Sequence, residues 1–265
     1  MSTTEQETAA DTQPEALVER RGAVQVITIN RPTQRNALTR AASLIIAAAV
    51  DELDADDDLA VGVLTGAGGT FCSGMDLAGF LKGETPSLPG RGMAGIARTP
   101  PRKPLIAAVE GWAVAGGFEL TLSCDLVVAA RTARFGIPEV KRGLVAGAGA
   151  AVKLPSRIPY AVALEMLLTG DPISAEKAEA VGLVNRIVDE GGALDEAVRL
   201  AEAIAANGPL AVAATKEIAK QSRYWGPDEV WDRQDEIMMP VFASEDAKEG
   251  ARAFKEKRAP VWRSR

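Results

Sequence analysis

The sequence predicts an α/β fold, and three observations carry that prediction. Short, strongly apolar runs at 61–65, 105–110, 125–130 and 184–188 have the length and composition of buried strands. Segments with apolar residues at helical spacing, at 39–53, 161–168, 174–181 and 194–206, alternate with them. Beyond Asn207-Gly208-Pro209, three more helical patterns at 210–221, 227–238 and 245–257 follow with no strand between them, so a helical lobe closes the chain.

Residues 1–14 are polar and aperiodic, the composition of a mobile tail. Apolar alternation in Val24, Val26 and Ile29, with Arg21-Gly22 as the turn, pairs 17–19 with 23–29 as a hairpin that Asn30-Arg31-Pro32 ends. Leu44, Ile45, Ala48 and Leu53 form one face of the helix at 39–53, and the acidic cluster at 54–58 reads as its solvated end. The strand at 61–65 runs into a glycine turn, GAGGTFCSGMDL, from Gly66 to Leu77. Residues 82–104 are rich in Gly and Pro and read as a mobile loop with a short helix, lining a pocket. Their G-x-G-x-x-G at Gly90, Gly92 and Gly95 follows no strand and carries no dinucleotide meaning.

The strand at 105–110 feeds Gly116-Gly117-Phe118-Glu119, whose diglycine precedes a helix over 118–123 with Glu119 in its opening turn, and Phe135-Gly136-Ile137-Pro138-Glu139 brings a second carboxylate twenty positions later. The glycine-rich run Gly143 to Ala150 then enters a helix at 151–154, and Ser174 with Lys177 opens the helix at 174–181. The organisation read from these signals is a tail at 1–14, a core at 15–206 and a helical lobe at 207–265.

Composition removes whole classes of function. The chain of 265 residues is long enough for one large core or two lobes, and its mean hydropathy of +0.01 is that of a globular protein. A net charge of −6 argues against a nucleic-acid surface. No apolar run reaches membrane-spanning length, and the polar, acidic start does not resemble a secretory signal, which makes the cytoplasm the expected location. Cys72 and Cys124 offer neither a disulfide framework nor metal spacing, and read as small buried thiols. Histidine is absent, which excludes Ser-His-Asp and Cys-His catalysis and the commonest zinc sites. No metal is expected, and proton chemistry must run on carboxylates, Lys, Tyr or backbone.

The two carboxylates are therefore the centre of interest. Two acids entering one apolar pocket cannot both stay comfortably ionised, and one then tends to hold a proton, as general acid–base chemistry requires. Glycine lets a ligand approach the backbone, and the amides of Met75 and Gly116 could point into one space as paired donors to a polarised carbonyl oxygen. A plain alternative also fits: Glu119 caps its helix, and Glu139 is a surface loop residue.

Taken together, Asn30-Arg31-Pro32 with Asn36-Ala37-Leu38, Ser73-Gly74-Met75-Asp76-Leu77, Gly116-Gly117-Phe118-Glu119-Leu120, Gly136-Ile137-Pro138-Glu139 and Phe254-Lys255-Glu256-Lys257-Arg258 resemble the crotonase (enoyl-CoA hydratase/isomerase) superfamily. The pieces fall in family order and cover nearly everything after residue 15. The resemblance implies a spiral of ββα units with a C-terminal helical lobe, an acyl-CoA thioester substrate, no cofactor beyond the coenzyme A of the substrate, and a homotrimer or dimer of trimers.

It further implies Glu119 and Glu139 as catalytic acids, Met75 and Gly116 as the oxyanion hole, and Gly147 as a water-positioning amide. Arg31, Arg35, Ala37, Ser73, Asp76 and Leu77 would contact CoA, with Asp76 bracing its loop. Phe254 and Lys257 would reach CoA across a subunit interface, and residues 82–104 would line the acyl pocket. Solvated loop or helix-end charges remain the alternative for Arg35 and Lys257, and close packing the alternative for Gly147. Family members often carry Pro and Gly where Ala146 and Ala150 stand, and a basic residue where Ala78 stands; Lys82 could supply that charge.

Both glutamates together imply hydration of 2-enoyl-CoA to 3-hydroxyacyl-CoA. The segments around Lys216-Glu217-Ile218 and 244–262 also resemble the carnitinyl-CoA dehydratase branch. A non-catalytic acyl-CoA-binding protein on the same scaffold is the alternative from another class.

Overall fold

The computed structural model describes residues 13–265; apart from Gln13 and Pro14, the expected N-terminal tail lies outside the described residues. In chain order, the elements are β1 (Ala16–Arg21), β2 (Val24–Ile29), α1 (Arg40–Ala55), β3 (Val61–Gly66), α2 (Leu77–Phe80), β4 (Ser87–Leu88), β5 (Gly92–Met93), β6 (Leu105–Val109) and β7 (Trp112–Val114). They continue as α3 (Gly116–Thr121), β8 (Leu126–Ala130), β9 (Arg134–Gly136), α4 (Ala150–Lys153), α5 (Tyr160–Thr169), β10 (Ile173–Ser174), α6 (Ala175–Ala180) and β11 (Arg186–Val188). Four longer helices end the chain: α7 (Ala193–Ala205), α8 (Pro209–Gln221), α9 (Val230–Ala243) and α10 (Glu245–Glu256).

A six-stranded sheet in the order β1-β2-β3-β6-β8-β11 forms the centre, antiparallel only at the β1–β2 hairpin. Both faces of its parallel part are covered, which explains why those strands read as unbroken apolar runs. Val26, Val63, Ile106 and Val128 pack against Ala197 and Ala201 of α7, while Ile27, Leu64, Ala107 and Ala129 belong to the larger core that includes Ile46 of α1. Burying each such aliphatic side chain contributes about 1.5–3 kcal/mol.

A second, smaller sheet gives the fold its spiral character. It has the order β10-β9-β7, and Cys72 extends it through a parallel bridge to Ala113. Each turn of chain thus leaves one strand in the large sheet and one piece in the small one: β3 then Cys72, β6 then β7, β8 then β9.

Most elements stand where the sequence places them. Thr39 caps α1 by accepting from the Ala42 amide at 3.1 Å, and Ser174 caps α6 by accepting from Lys177 at 3.2 Å. Three differ. Residues 82–104 contain the β4–β5 hairpin and no helix, because Gly90, Gly92, Ala94 and Gly95 all hold left-handed φ values that a helix cannot use. The helix expected at 227–238 runs from Val230 to Ala243, since Glu229 turns back onto the Gly226 amide and the exposed turn around Pro240 tolerates the missing donor. The helix carrying Glu119 starts two residues early, at Gly116.

The C-terminal helices are tied to the core by polar contacts. Lys216 of α8 donates to the carbonyls of Pro101 and Lys103 and to Asp125. Trp262 donates to the Ala206 carbonyl, and buried Asp246 accepts from the amides of Arg263 and Ser264. No helix among the described residues is long and apolar enough to cross a membrane.

The glycine turn after β3 is shaped by Asn36. Fully buried, with φ of 55° where Asn is tolerated, it donates to the carbonyls of Ala67 and Thr70 and accepts from the Arg31 amide. Asn36→Ala strands those groups, so urea unfolding should show a loss of about 3 kcal/mol; a change under about 0.5 kcal/mol would discount Asn36 as the brace.

Candidate active site

The site forms where three turns of the spiral leave the small sheet. Cys72 donates its amide to the Trp112 carbonyl and accepts from Val114, which sets the Gly74-Met75 turn beside the start of α3. The approach is close: a side-chain carbon on Gly74 would lie 3.0 Å from the Gly116 nitrogen, and one on Gly117 only 2.0 Å from the Cys72 carbonyl oxygen. Ala115 bridges β7 to α3 in a strained conformation, φ 51° and ψ −130°, and donates its amide to the Gly136 carbonyl of β9. That strain turns the first amides of α3 directly off the strand end.

The Leu38–Met75 bridge uses the Leu38 amide on the Gly74 carbonyl and the Asp76 amide on the Leu38 carbonyl. The Met75 N–H is left out of it, and the Gly116 N–H, first in its helix, has no acceptor within α3. Among the described residues neither amide donates to another backbone group. Both amides are thus left without a backbone acceptor.

Glu119 is the fourth residue of α3 and only 2% exposed. Its Oε1 accepts from the amides of Ala148, at 2.8 Å, and Ala150, at 3.0 Å. Burial raises its pKa, opposed by the Ala150, Ala148 and Gly149 amides and by the Lys153 charge. Glu139 opens a short 3-10 helix over Pro138–Arg142, and its Oε2 is buried without a hydrogen-bond partner. Its pKa is also raised, chiefly by burial and further by the charge of Glu119, so the two acids act on each other electrostatically. Phe118 packs on Phe135 with ring centroids 5.7 Å apart, which holds the helix of one acid against the strand leading to the other.

The other residues singled out by the sequence lie around this centre in different states. Gly147 is exposed and, with Ala148, Met93, Ala97, Arg40 and Arg98, lines a groove of about 350 Å³ to which residues 85–98 contribute one wall. Asp76 caps α2 through the Gly79 amide and pairs with Arg31; those contacts lower its pKa, the Gly79 bond foremost. Arg31 is occupied by Asp76, Glu15 and the Ala37 carbonyl, a bracing position between loops rather than an open cation. Arg35 is exposed, and its carbonyl accepts from the Ser73 amide. Leu77 is largely exposed, as is Phe254 at 88%, and Lys257 ends α10 in a left-handed conformation. A cavity of about 680 Å³ lies away from the acids, among α8, α9 and α10. Both cysteines are buried, with thiols pushed up to about 12, which leaves them inert.

Four residues contribute to the site without having been singled out from the sequence for that part. The Ala148 and Ala150 amides hold Glu119, although the glycine-rich run that presents them was visible. Asn36 was legible only as part of a motif. Lys153, inside a short helix, gave no signal.

Residues 19–265 match the family described as enoyl-CoA hydratase/isomerase. An enoyl-CoA hydratase, EchA19, of Mycobacterium tuberculosis is 44% identical over 95% of this chain and 97% of its own. A carnitinyl-CoA dehydratase of Salmonella typhi is 39% identical over 93% and 97%. The crystal structure of enoyl-CoA hydratase EchA1 from Mycobacterium marinum superposes with a TM-score of 0.94 at 58% identity, covering 96% of this chain and all of that one.

The electrostatics of Glu139 can be tested by stability. With its folded pKa raised, the native state binds the proton more tightly than the unfolded chain, so ionisation costs stability as pH rises above the ordinary carboxylate range. Glu139→Gln, which does not titrate, should melt higher than wild type at pH 8, with the difference shrinking toward pH 4. Thermal melts at both pH values check this; an unchanged or lower melting point at pH 8 would contradict it.

Proposed function

Because the chain belongs to the enoyl-CoA hydratase/isomerase family, we propose that it is an enoyl-CoA hydratase, a hydro-lyase that reversibly adds water across the C2–C3 bond of 2-enoyl-CoA thioesters. The observation that carries the reading is the orphaned, buried Oε2 of Glu139, a carboxyl that also feels the charge of a second one, Glu119. A water molecule between the two acids would satisfy that oxygen and become the nucleophile.

In this mechanism the thioester oxygen accepts from the Met75 and Gly116 amides, which draw electron density from C3; one such donor contributes about 3–4 kcal/mol of transition-state stabilisation. The backbone donors on Glu119 favour its ionised form, so it takes a proton as the water oxygen bonds to C3. Glu139, with an unpartnered oxygen and a like charge beside it, favours the protonated form and delivers its proton to C2. The sum is one water added, and proton exchange through solvent restores the pair.

The Gly147 amide sits on the same loop as Ala148, consistent with a part in holding that water. Coenzyme A would pass Arg35, Ala37, Ser73 and Leu77, with Arg31 and Asp76 bracing the loops behind it. The carnitinyl-CoA reading is less well supported: the groove beside Ala148 carries Arg40 and Arg98 and no acidic side chain among the residues lining it, a poor setting for a trimethylammonium group.

The proposal extends to assembly. The core at 15–206 would carry the acyl-CoA site and the lobe at 207–265 would associate into a homotrimer or dimer of trimers. Exposed Phe254, Trp231 and Phe242, and the apolar cavity among α8, α9 and α10, support such an interface. Phe254 and Lys257 would then reach the CoA of a neighbouring subunit.

Hydration of crotonyl-CoA tests the chemistry. Glu119→Gln and Glu139→Gln should each lower kcat by about 10²–10⁴-fold, and wild type should turn over 3-hydroxybutyryl-CoA in preference to carnitinyl-CoA. Equal rates in all three proteins would remove the carboxylate assignment, and CoA-thioester binding without turnover would favour the non-catalytic alternative. Light scattering should return the mass of three or six chains; a monomer would refute the shared CoA site.

A further inference from the structure

We propose that Lys153 is a positioning residue of this reaction: its ammonium ties the helix carrying Glu119, through Ser123, to the loop that holds the Glu119 carboxylate. The inference rests on the hydratase reading and adds to it a group outside the acid pair.

Lys153 ends α4, whose first residue, Ala150, donates its amide to Glu119. The ammonium donates to the Ser123 hydroxyl at 2.7 Å, and that hydroxyl donates in turn to the Glu119 main-chain carbonyl at 2.7 Å. A third contact runs from the ammonium to the Ala97 carbonyl at 2.6 Å, in the wall of the groove beside Ala148. The Lys153 amide donates to the Gly149 carbonyl at 2.9 Å, and its Cε would lie 3.4 Å from a side-chain carbon on Gly149. One side chain thus fixes the end of α3, the loop presenting the Ala148 and Ala150 amides, and the groove wall relative to one another.

The charges around it define what the ammonium acts on. Burial pulls the Lys153 pKa down to about 8; Cys124 and Glu119 from the α3 side push it up, while Lys220 of α8 and Arg157 push it down. Cys124 stays neutral near neutral pH, its thiol being pushed up to about 12. Asp125 is already engaged by Lys216. Glu119 is therefore the carboxyl that gains from the charge, and the Lys153 field adds, after burial and the three loop amides, a smaller pull against the upward shift of the Glu119 pKa. With the charge removed, Glu119 would ionise only at higher pH, and the acid limb of the reaction would move with it.

The test separates charge from packing. Lys153→Gln keeps a donor and loses the charge; it should move the acid limb of kcat/KM upward and lower plateau kcat about tenfold, with KM within about threefold. Lys153→Arg should keep the wild-type limb. Ser123→Ala should lower the plateau and leave the limb in place. A limb unchanged in Lys153→Gln would overturn the proposal even where its melting temperature falls, since a purely structural lysine would lower stability without moving the limb. Carboxyl titration by infrared difference against Glu119→Gln gives the same decision without turnover: the Glu119 band should titrate higher in Lys153→Gln than in wild type or Lys153→Arg, and coincident titrations would reject the role. Should wild type hydrate nothing, the hydratase reading fails by itself, while the titration still judges Lys153. If Lys153→Gln does not fold, Lys153→Met under the same titration replaces it.

Discussion

The site depends on one ladder, the parallel alignment of Cys72, β7 and β9 in the small sheet. Cys72 opposes Ala113, and Ala113 opposes Phe135. Met75 lies three residues beyond Cys72, Gly116 three beyond Ala113, and Glu139 four beyond Phe135. Parallel strands leave a sheet in the same direction, so a common register delivers these three groups to one end of it. A one-residue slip would point Met75, Gly116 or Glu139 elsewhere, because side chains and amides alternate along a strand. The large sheet and its two apolar faces matter to the chemistry chiefly by holding this small ladder still.

Close approach of the layers follows from residue size at the crossings. Gly117 faces the Cys72 carbonyl with no room for a methyl group, and Gly74 faces Ala115 and Gly116 almost as tightly. The strained φ of Ala115 then turns the chain from strand to helix within one residue. Small residues and local strain thus bring main-chain amides from separate turns close together, and in the proposed mechanism these serve as donors that side chains could replace only at an entropic cost.

The sequence was legible where physics is local. Parallel strands buried on both faces announced themselves as apolar runs, and Thr39 and Ser174 marked their helix starts. The β4–β5 hairpin was not legible, since its strands are too short for any periodicity. Glycines and one alanine at left-handed φ make the same Gly-rich composition serve a hairpin instead of a loop with a helix. Glu119 and Glu139 stood out by their glycine-rich contexts, whereas the amides of Ala148 and Ala150 carry no side-chain signature. Arg31 looked like an open cation because nothing in sequence joins it to Glu15 and Asp76, 45 residues further on. Lys153 was silent for the same reason: its partners Ala97 and Ser123 are distant in sequence.

A chain without histidine has no side chain that changes charge near neutral pH at its ordinary pKa. Burial is the available remedy, and it acts on both acids here in the same upward direction. Used alone it would leave two similar carboxyls, neither distinctly an acid nor a base. What distinguishes them is the extent of solvation by backbone: the glycine loop supplies several amides to Glu119, with the Lys153 charge behind them, while Glu139 has only its own amide and keeps a buried oxygen with no partner. In the proposed mechanism, the asymmetry needed for proton transfer in both directions would come from which acid the loop reaches.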